Sequence, residues 1–230
     1  MITIDYFSDV LCVWAYGGQV RLEELQREFK DDVLVRQRFM PLFADTRTRI
    51  GEGWKDKGGF AGFGSQMREV CGQWEHTRLH PDVWIACRPA SCTTSHVFLK
   101  AVHLCLGLEQ AQGDPDAESH ALFDRLVART RKAFFEEARD VANLAVLMEL
   151  LAATGLSPGP VKEAIDNGQA YAVLRGDELL ASKHGVLGSP TFVFNDGRQL
   201  LYGNVGYRIV ASNVRELMSS GHVEGEPSWC

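Results

Sequence analysis

The sequence lacks any long apolar run and any strongly basic segment. No stretch approaches the roughly 18 apolar residues of a membrane span. The formal net charge is −6, and no block of adjacent basic residues is longer than Arg131-Lys132. Because nucleic acids and anionic membrane surfaces attract clustered positive charge, these absences argue against both as main partners.

The first residues also lack the features of an export signal. Residues 1–5 contain no basic leader, and no long apolar segment follows them. A secretory signal peptide needs both features. We therefore expect a cytoplasmic protein whose six cysteines are free thiols rather than a disulfide framework.

What is present is an ordinary globular composition, with 45% hydrophobic and 23% charged residues. Alternating and continuous apolar patterns predict strands, and patterns with a helical period predict helices. The predicted strands cover residues 2–7, 33–39, 191–194 and 199–202. The predicted helices cover residues 12–29, 94–108, 120–135, 141–154, 161–167, 171–184 and 207–218.

This order predicts an α/β fold in which both ends of the chain share one four-stranded mixed sheet. The opening strand, helix and strand favour a parallel pair with a right-handed crossover. Residues 1–64 and 185–230 then form one discontinuous domain, in which residues 44–64 are predicted as a loop. Residues 65–184 are predicted to be an inserted, all-helical subdomain.

One cysteine lies at the predicted start of the first helix. Cys12 would face unpaired backbone N–H groups and the positive end of the helix dipole. Both favour the thiolate, so we expect its pKa to lie below the usual value of about 8.5. Cys12 is then the candidate nucleophile. The alternative is a buried, inert cysteine.

A proline stands directly before the third predicted strand. Pro190 removes a hydrogen-bond donor at that position, which is unusual for a buried strand. A cis Ser189–Pro190 bond would explain it and would leave the Ser189 backbone free to pair with a peptide or thiol ligand. The alternative is an ordinary proline at the start of a strand.

Several segments resemble the DsbA-like family, particularly its cytoplasmic FrnE-type members. Residues 5–16, Asp-Tyr-Phe-Ser-Asp-Val-Leu-Cys-Val-Trp-Ala-Tyr, are similar to the active-site pattern D-x-x-C-P-W-C-Y. Residues 185–194 are similar to G-V-x-G-V-P-T-F. Further similarities occur, in the family's order, at residues 39–43, 91–96, 133–140 and 147–156. The resemblance spans residues 2–218 and implies a thioredoxin fold with a large helical insertion.

The resemblance also implies a thiol-dependent oxidoreductase, but two positions depart from the pattern. Ala15 stands where the second cysteine of C-x-x-C is found, and Val13 replaces the proline. The second thiol of such a pair releases the mixed disulfide formed by the first. Without it, Cys12 cannot close a local disulfide, and the expected resolving group is glutathione, a substrate thiol or another cysteine of this chain.

Other residues are candidates for binding or for a second thiol. Trp14 and Tyr16 flank Cys12 and are predicted to line a substrate surface, although packing in the first helical turn is the alternative. His96 is a candidate base for a thiol, and the alternative is a capping or core histidine. Cys92 is a candidate second active-site thiol, although simple packing is the alternative. Arg208 is a candidate for anchoring glutathione.

Three functions remain open. The first is thiol–disulfide exchange by the single Cys12, with protein or small-molecule thiols and disulfides as partners. The second is a glutathione-dependent transferase or isomerase, because kappa-class glutathione transferases and 2-hydroxychromene-2-carboxylate isomerases belong to the same superfamily and carry serine at the position of Cys12. The third is a non-catalytic peptide-binding protein. Glutathione is a candidate co-substrate, no tightly bound cofactor is expected, and the Cys and His spacing matches no standard zinc site.

Overall fold

A computed structural model describes residues 1–108 and 117–219. The strands are β1 (Ile2–Ser8), β2 (Val33–Phe39), β3 (Thr191–Phe194) and β4 (Gln199–Tyr202). The helices are α1 (Val13–Phe29), α2 (Gly59–Cys71), α3 (Thr93–Cys105), α4 (Ala117–Phe135), α5 (Leu144–Ala152), α6 (Pro158–Asp166), α7 (Gln169–Lys183) and α8 (Tyr207–Ser219). Within these residues, no helix combines the length and apolar character needed to cross a bilayer. Cys230 lies outside the described residues.

The four strands form one mixed sheet in the order β2-β1-β3-β4. Strand β1 runs parallel to β2 and antiparallel to β3, which in turn runs antiparallel to β4. Central β1 and β3 are almost fully buried, as expected for strands covered on both faces. The predicted thioredoxin fold with helices inserted between β2 and β3 is confirmed.

Two apolar clusters hold most of the molecule together. On one face of the sheet, Leu22 and Leu25 of α1 and Val210 and Val214 of α8 pack around Ile4. A larger cluster joins the start of α1 to the helices between β2 and β3. Because the first turn of α1 belongs to this second cluster, the active-site segment lies where the sheet domain meets the helical block.

A buried carboxylate fastens the helical block to the sheet. Asp177 of α7 accepts hydrogen bonds from the Phe39 backbone N–H at 2.8 Å and from Arg38 Nη1 at 3.2 Å, both on β2. It also pairs with Lys100 Nζ of α3 at 2.6 Å. The side chains of Asp177 and Lys100 are 1% and 0% exposed, so this pair has exchanged nearly all its water for protein contacts.

The segment after β2 differs from its prediction. Residues 44–64 were expected to be a loop, but Arg47–Glu52 forms a π-type helical turn and α2 already begins at Gly59. Glycine weakens helical patterns, yet at Gly62 a Cβ atom would lie 1.7 Å from the Lys57 carbonyl oxygen. Close backbone approach therefore requires glycine inside this helix.

The region between α2 and α3 contains less helix than predicted. Helical patterns were expected to dominate there, but residues 72–92 contain only turns and one isolated bridge, between Val83 and Cys87. Pro81 and Pro89 explain the difference, because each removes a backbone donor and disfavours a continuing helix. This irregular segment contributes Trp84, which is fully buried in the larger apolar cluster.

Candidate active site

Cys12 and the Ser189–Pro190 peptide face each other at one end of the sheet. Cys12 is the N-cap residue of α1 and is 5% exposed. Its Sγ donates to the Ser189 carbonyl oxygen at 3.3 Å. The Ser189–Pro190 bond is cis, as predicted. A thiol and a strand-like backbone segment therefore lie within one hydrogen bond of each other.

The pairing of β1 with β3 brings these two segments together. Phe7 lies opposite Thr191 in the antiparallel register. The residues that follow Phe7 and those that precede Thr191 must therefore leave the sheet side by side. The Ser189 hydroxyl strengthens this arrangement, because it accepts a hydrogen bond from the Asp9 backbone N–H at 3.0 Å.

Asp9 shapes the turn that presents Cys12. Its Oδ1 accepts from the Leu11 backbone N–H at 2.8 Å, and its Oδ2 accepts from the Phe43 backbone N–H at 2.9 Å. The carboxylate thus joins the entrance of α1 to the segment after β2. Our sequence reasoning missed this role. The available signal was an aspartate directly after a strand, because an Asp side chain in a turn commonly accepts a hydrogen bond from the backbone N–H two residues later.

His96 supports the same turn from behind. Its ring is fully buried, stacks on Phe39 with centroids 5.1 Å apart, and accepts from the Val10 backbone N–H through Nε2 at 3.2 Å. Burial lowers the pKa of His96, so the ring is neutral at pH 7. Its 3.6 Å approach to Asp9 is therefore not an ion pair. The structure places His96 outside the cleft that contains Cys12.

Cys92 completes a buried cluster with Asp9 and His96, whose potential ligand atoms lie within 4.8 Å of one another. Burial, and then the Asp9 carboxylate, raises the pKa of Cys92, so its thiol stays protonated. Asp9 and the Nε2 of His96 already accept backbone hydrogen bonds. These atoms stabilise the turn from inside the protein. A metal ion would fit poorly here, because Asp9 and His96 would have to give up those hydrogen bonds to bind it.

A cleft of about 600 Å³ opens beside Cys12. Cys12, Gly188 and Ser189 line one part of it. Most of the remaining lining is apolar and comes from Val13, Trp14, Leu42, Phe43, Trp54, Phe63, Met67, Val70 and Leu187, with Arg49, Gly53, Gln66 and Tyr202 completing it. Trp14 is 38% exposed and packs edge-on against Trp74. Trp14 and Ser189 are thus brought together with Cys12.

Two further predicted site residues also lie outside the cleft. Tyr16 points away from the cleft: its ring stacks on Phe135, and its hydroxyl donates to Glu136 Oε1 at 2.9 Å. Arg208 is exposed in the first turn of α8 and does not line the cleft. The α-helical period explains the first case, because a residue two positions beyond Trp14 lies on a different face of the helix.

The expectation of a lowered Cys12 pKa is wrong for this structure. Burial raises the pKa of the Cys12 thiol, although hydrogen bonding to Ser189 and to the first backbone N–H groups of α1 acts in the opposite direction. The Asp9 charge adds to the increase. Loss of water around the sulfur therefore outweighs the helix terminus on which the expectation rested.

The pH dependence of Cys12 alkylation tests this reversal. Because the thiolate is the reactive form, the rate should rise with pH through the folded-state pKa, with a midpoint above about 8.5. Iodoacetamide labelling followed by mass spectrometry of the Cys12 peptide measures this midpoint. The same cysteine in urea-unfolded protein is the control. A midpoint in the folded protein at or below the control value would show that the helix terminus prevails.

The chain shares its fold with solved structures. A putative protein disulfide isomerase from Nitrosomonas europaea is 16% identical, with 95% of this chain and 98% of that chain covered and a TM-score of 0.70. The cytosolic disulfide reductase DsbM from Pseudomonas aeruginosa, solved with GSH, is 22% identical, with the same coverages and a TM-score of 0.61. A 2-hydroxychromene-2-carboxylate isomerase is 13% identical, covers 95% of this chain and 97% of its own, and also has a TM-score of 0.61.

No curated protein sequence matches this chain. The family description "DSBA-like thioredoxin domain" matches residues 3–215, nearly the whole chain. This match agrees with the four-stranded sheet and with the thiol beside a cis proline. The chain belongs to the family of DSBA-like thioredoxin domains.

Proposed function

We propose that this protein is a thiol–disulfide oxidoreductase that uses Cys12 as its single active-site thiol. The observation that carries the proposal is the position of the Cys12 Sγ, 3.3 Å from the Ser189 carbonyl oxygen and at the edge of a cleft. Ala15 stands at the place of the second thiol and has no sulfur, so the first turn of α1 cannot itself resolve a disulfide at Cys12.

The proposed substrate is a mixed disulfide between a substrate thiol and a small thiol such as glutathione. The Cys12 thiolate attacks the glutathione sulfur, forms a Cys12–glutathione disulfide and releases the substrate as a thiolate. A second glutathione thiolate then attacks this disulfide, which returns Cys12 and produces oxidised glutathione. The substrate thiol is thereby reduced and one free glutathione is consumed. Its sulfur ends in oxidised glutathione, bonded to the glutathione that came from the mixed disulfide.

The raised pKa of Cys12 favours a role in reducing substrate disulfides over a role in forming them. Strong oxidants among dithiol proteins owe their potential to a stabilised reduced thiolate. Burial has the opposite effect on Cys12, because it raises the pKa of the thiol. The similarity in fold to DsbM, a cytosolic disulfide reductase solved with GSH, is consistent with this direction. A cytoplasmic location, where glutathione keeps thiols reduced, would suit such an activity.

A glutathione-dependent transferase or isomerase is the second candidate. Its support is the cleft itself, because nine of its lining residues are apolar and could hold an aromatic substrate beside a bound thiol. In that reaction, glutathione would be the nucleophile and the Cys12 thiol would only donate a hydrogen bond to it. The shared fold with a 2-hydroxychromene-2-carboxylate isomerase adds to this candidate.

Incubation with oxidised glutathione tests the first proposal. Cys12 should gain one glutathione, and reduced glutathione should remove it, as peptide mass spectrometry can show. Cys105 is the internal control, because it is exposed, lies near the end of α3 and does not line the cleft. A glutathione adduct on Cys105 with Cys12 unmodified would contradict the proposal.

A further inference from the structure

The charge distribution of the cleft suggests which disulfides enter it. Arg49 is the one charged side chain among the described residues that line the cleft. This positive charge stands out in a chain with a net charge of −6. Resting on the proposed function, we infer that Arg49 selects substrates that carry a carboxylate close to the reacting sulfur.

Arg49 is connected to the active-site turn through its contact with Phe43. Its guanidinium lies over the Phe43 ring, 4.9 Å from the centroid. Phe43 is in turn tied to the active-site turn, because its backbone N–H donates to Asp9 at 2.9 Å. Since Asp9 also holds the Leu11 backbone next to Cys12, one chain of contacts connects Arg49 with the thiol.

The guanidinium is available for an anion. The described residues include no carboxylate paired with Arg49 and no hydrogen-bond acceptor for its side chain. Arg49 is exposed, so its N–H groups can reach a ligand in the cleft while the guanidinium carbon lies over the Phe43 ring. A planar fork of N–H donors matches a carboxylate in geometry as well as in charge.

The helix that begins beside Cys12 adds little to this preference. The Asp9 carboxylate lies at its N-terminal end, where it accepts hydrogen bonds from the Leu11 and Phe43 backbone N–H groups. Among the described residues that line the cleft, Arg49 is therefore the positive charge that a substrate carboxylate would meet.

A pair of alkylating reagents separates charge selection from general reactivity. The Cys12 thiolate displaces iodide from the methylene carbon of both iodoacetate and iodoacetamide, but only iodoacetate carries a carboxylate. The ratio of the two second-order rates, mapped to Cys12 by mass spectrometry, cancels any change in the thiol pKa. In Arg49→Gln we expect this ratio to fall about fivefold at low ionic strength. Salt should lower the wild-type ratio in the same direction.

Arg47→Gln is the matched control, because Arg47 is exposed on the same helical turn but does not line the cleft. Its ratio should equal that of the wild type, and Arg49→Lys should keep most of the preference. An unchanged ratio in Arg49→Gln, or an equal fall in Arg47→Gln, would overturn the inference and leave the proposed function standing. Failure of Cys12 to react with either reagent or with oxidised glutathione would contradict both.

Discussion

Replacing Cys12 with serine should reduce thiol–disulfide exchange to the uncatalysed rate. A serine hydroxyl cannot form a mixed disulfide, and Ala15 leaves no second thiol in the first turn of α1. The hydroxyl can still donate to the Ser189 carbonyl oxygen, so the fold should be retained. The assay follows glutathione-dependent reduction of a small mixed disulfide, and far-ultraviolet circular dichroism checks the fold.

Two other cysteine variants sharpen this result. Cys105→Ser should keep the wild-type rate, because Cys105 is exposed and does not line the cleft. Cys92→Ser tests the candidate second thiol. If Cys92 resolved the mixed disulfide, this variant would stop at the Cys12–glutathione adduct, whereas resolution by glutathione predicts continued turnover. Wild-type exchange activity in Cys12→Ser would contradict the proposed mechanism.

The same Cys12→Ser protein distinguishes the two candidate enzymes. If bound glutathione is the nucleophile, a hydroxyl at this position can replace the thiol as its hydrogen-bond donor. Glutathione conjugation or isomerisation would then survive the substitution while disulfide exchange is lost. An assay with glutathione and an aromatic electrophile measures this outcome. Inactivity of the wild type in both assays would favour the peptide-binding alternative.

Asp177→Asn should destabilise the protein by about 3–5 kcal/mol, the usual cost of breaking a buried ion pair by removing one partner. The variant takes the negative charge from beside Lys100 Nζ, which lies 2.6 Å away in the folded protein, and both side chains are almost completely buried. It also weakens the acceptor of the Phe39 backbone N–H. Urea denaturation measures the loss in the free energy of unfolding.

Glu178→Gln is the matched control on the next residue of α7. Glu178 pairs with Arg175 at 2.7 Å, but the Arg175 side chain is 64% exposed. Exposed pairs typically contribute about 0–1 kcal/mol, so this variant should be nearly neutral. A loss for Asp177→Asn no larger than that of Glu178→Gln would show that the Asp177 carboxylate does not hold the helical block to β2.

The strands and most helices could be predicted because their signals are local. The apolar patterns of β1 and β2 and the Asp196-Gly197 turn between β3 and β4 depend only on near neighbours in the sequence. In the structure, Asp196 and Gly197 both have positive φ angles, as such a turn requires, and so does Asn195. The segment after β2 escaped prediction because its glycines obscure a helix. Gly64, for example, lies so close to the Val83 carbonyl oxygen that an added Cβ would be 3.0 Å away.

Residue patterns alone predict the four strands, most of the helices, the cysteine at the start of α1, the missing second thiol at Ala15 and the proline before β3. Contacts between distant segments place Trp14 but not Tyr16 in the cleft, bring Arg49 to it, and bury Cys12 so that the pKa of its thiol rises. The physical reason is that local conformation depends on neighbouring residues, whereas the water around a side chain depends on contacts with residues far away along the chain. Asp177 and Lys100, brought together from α7 and α3, are another example.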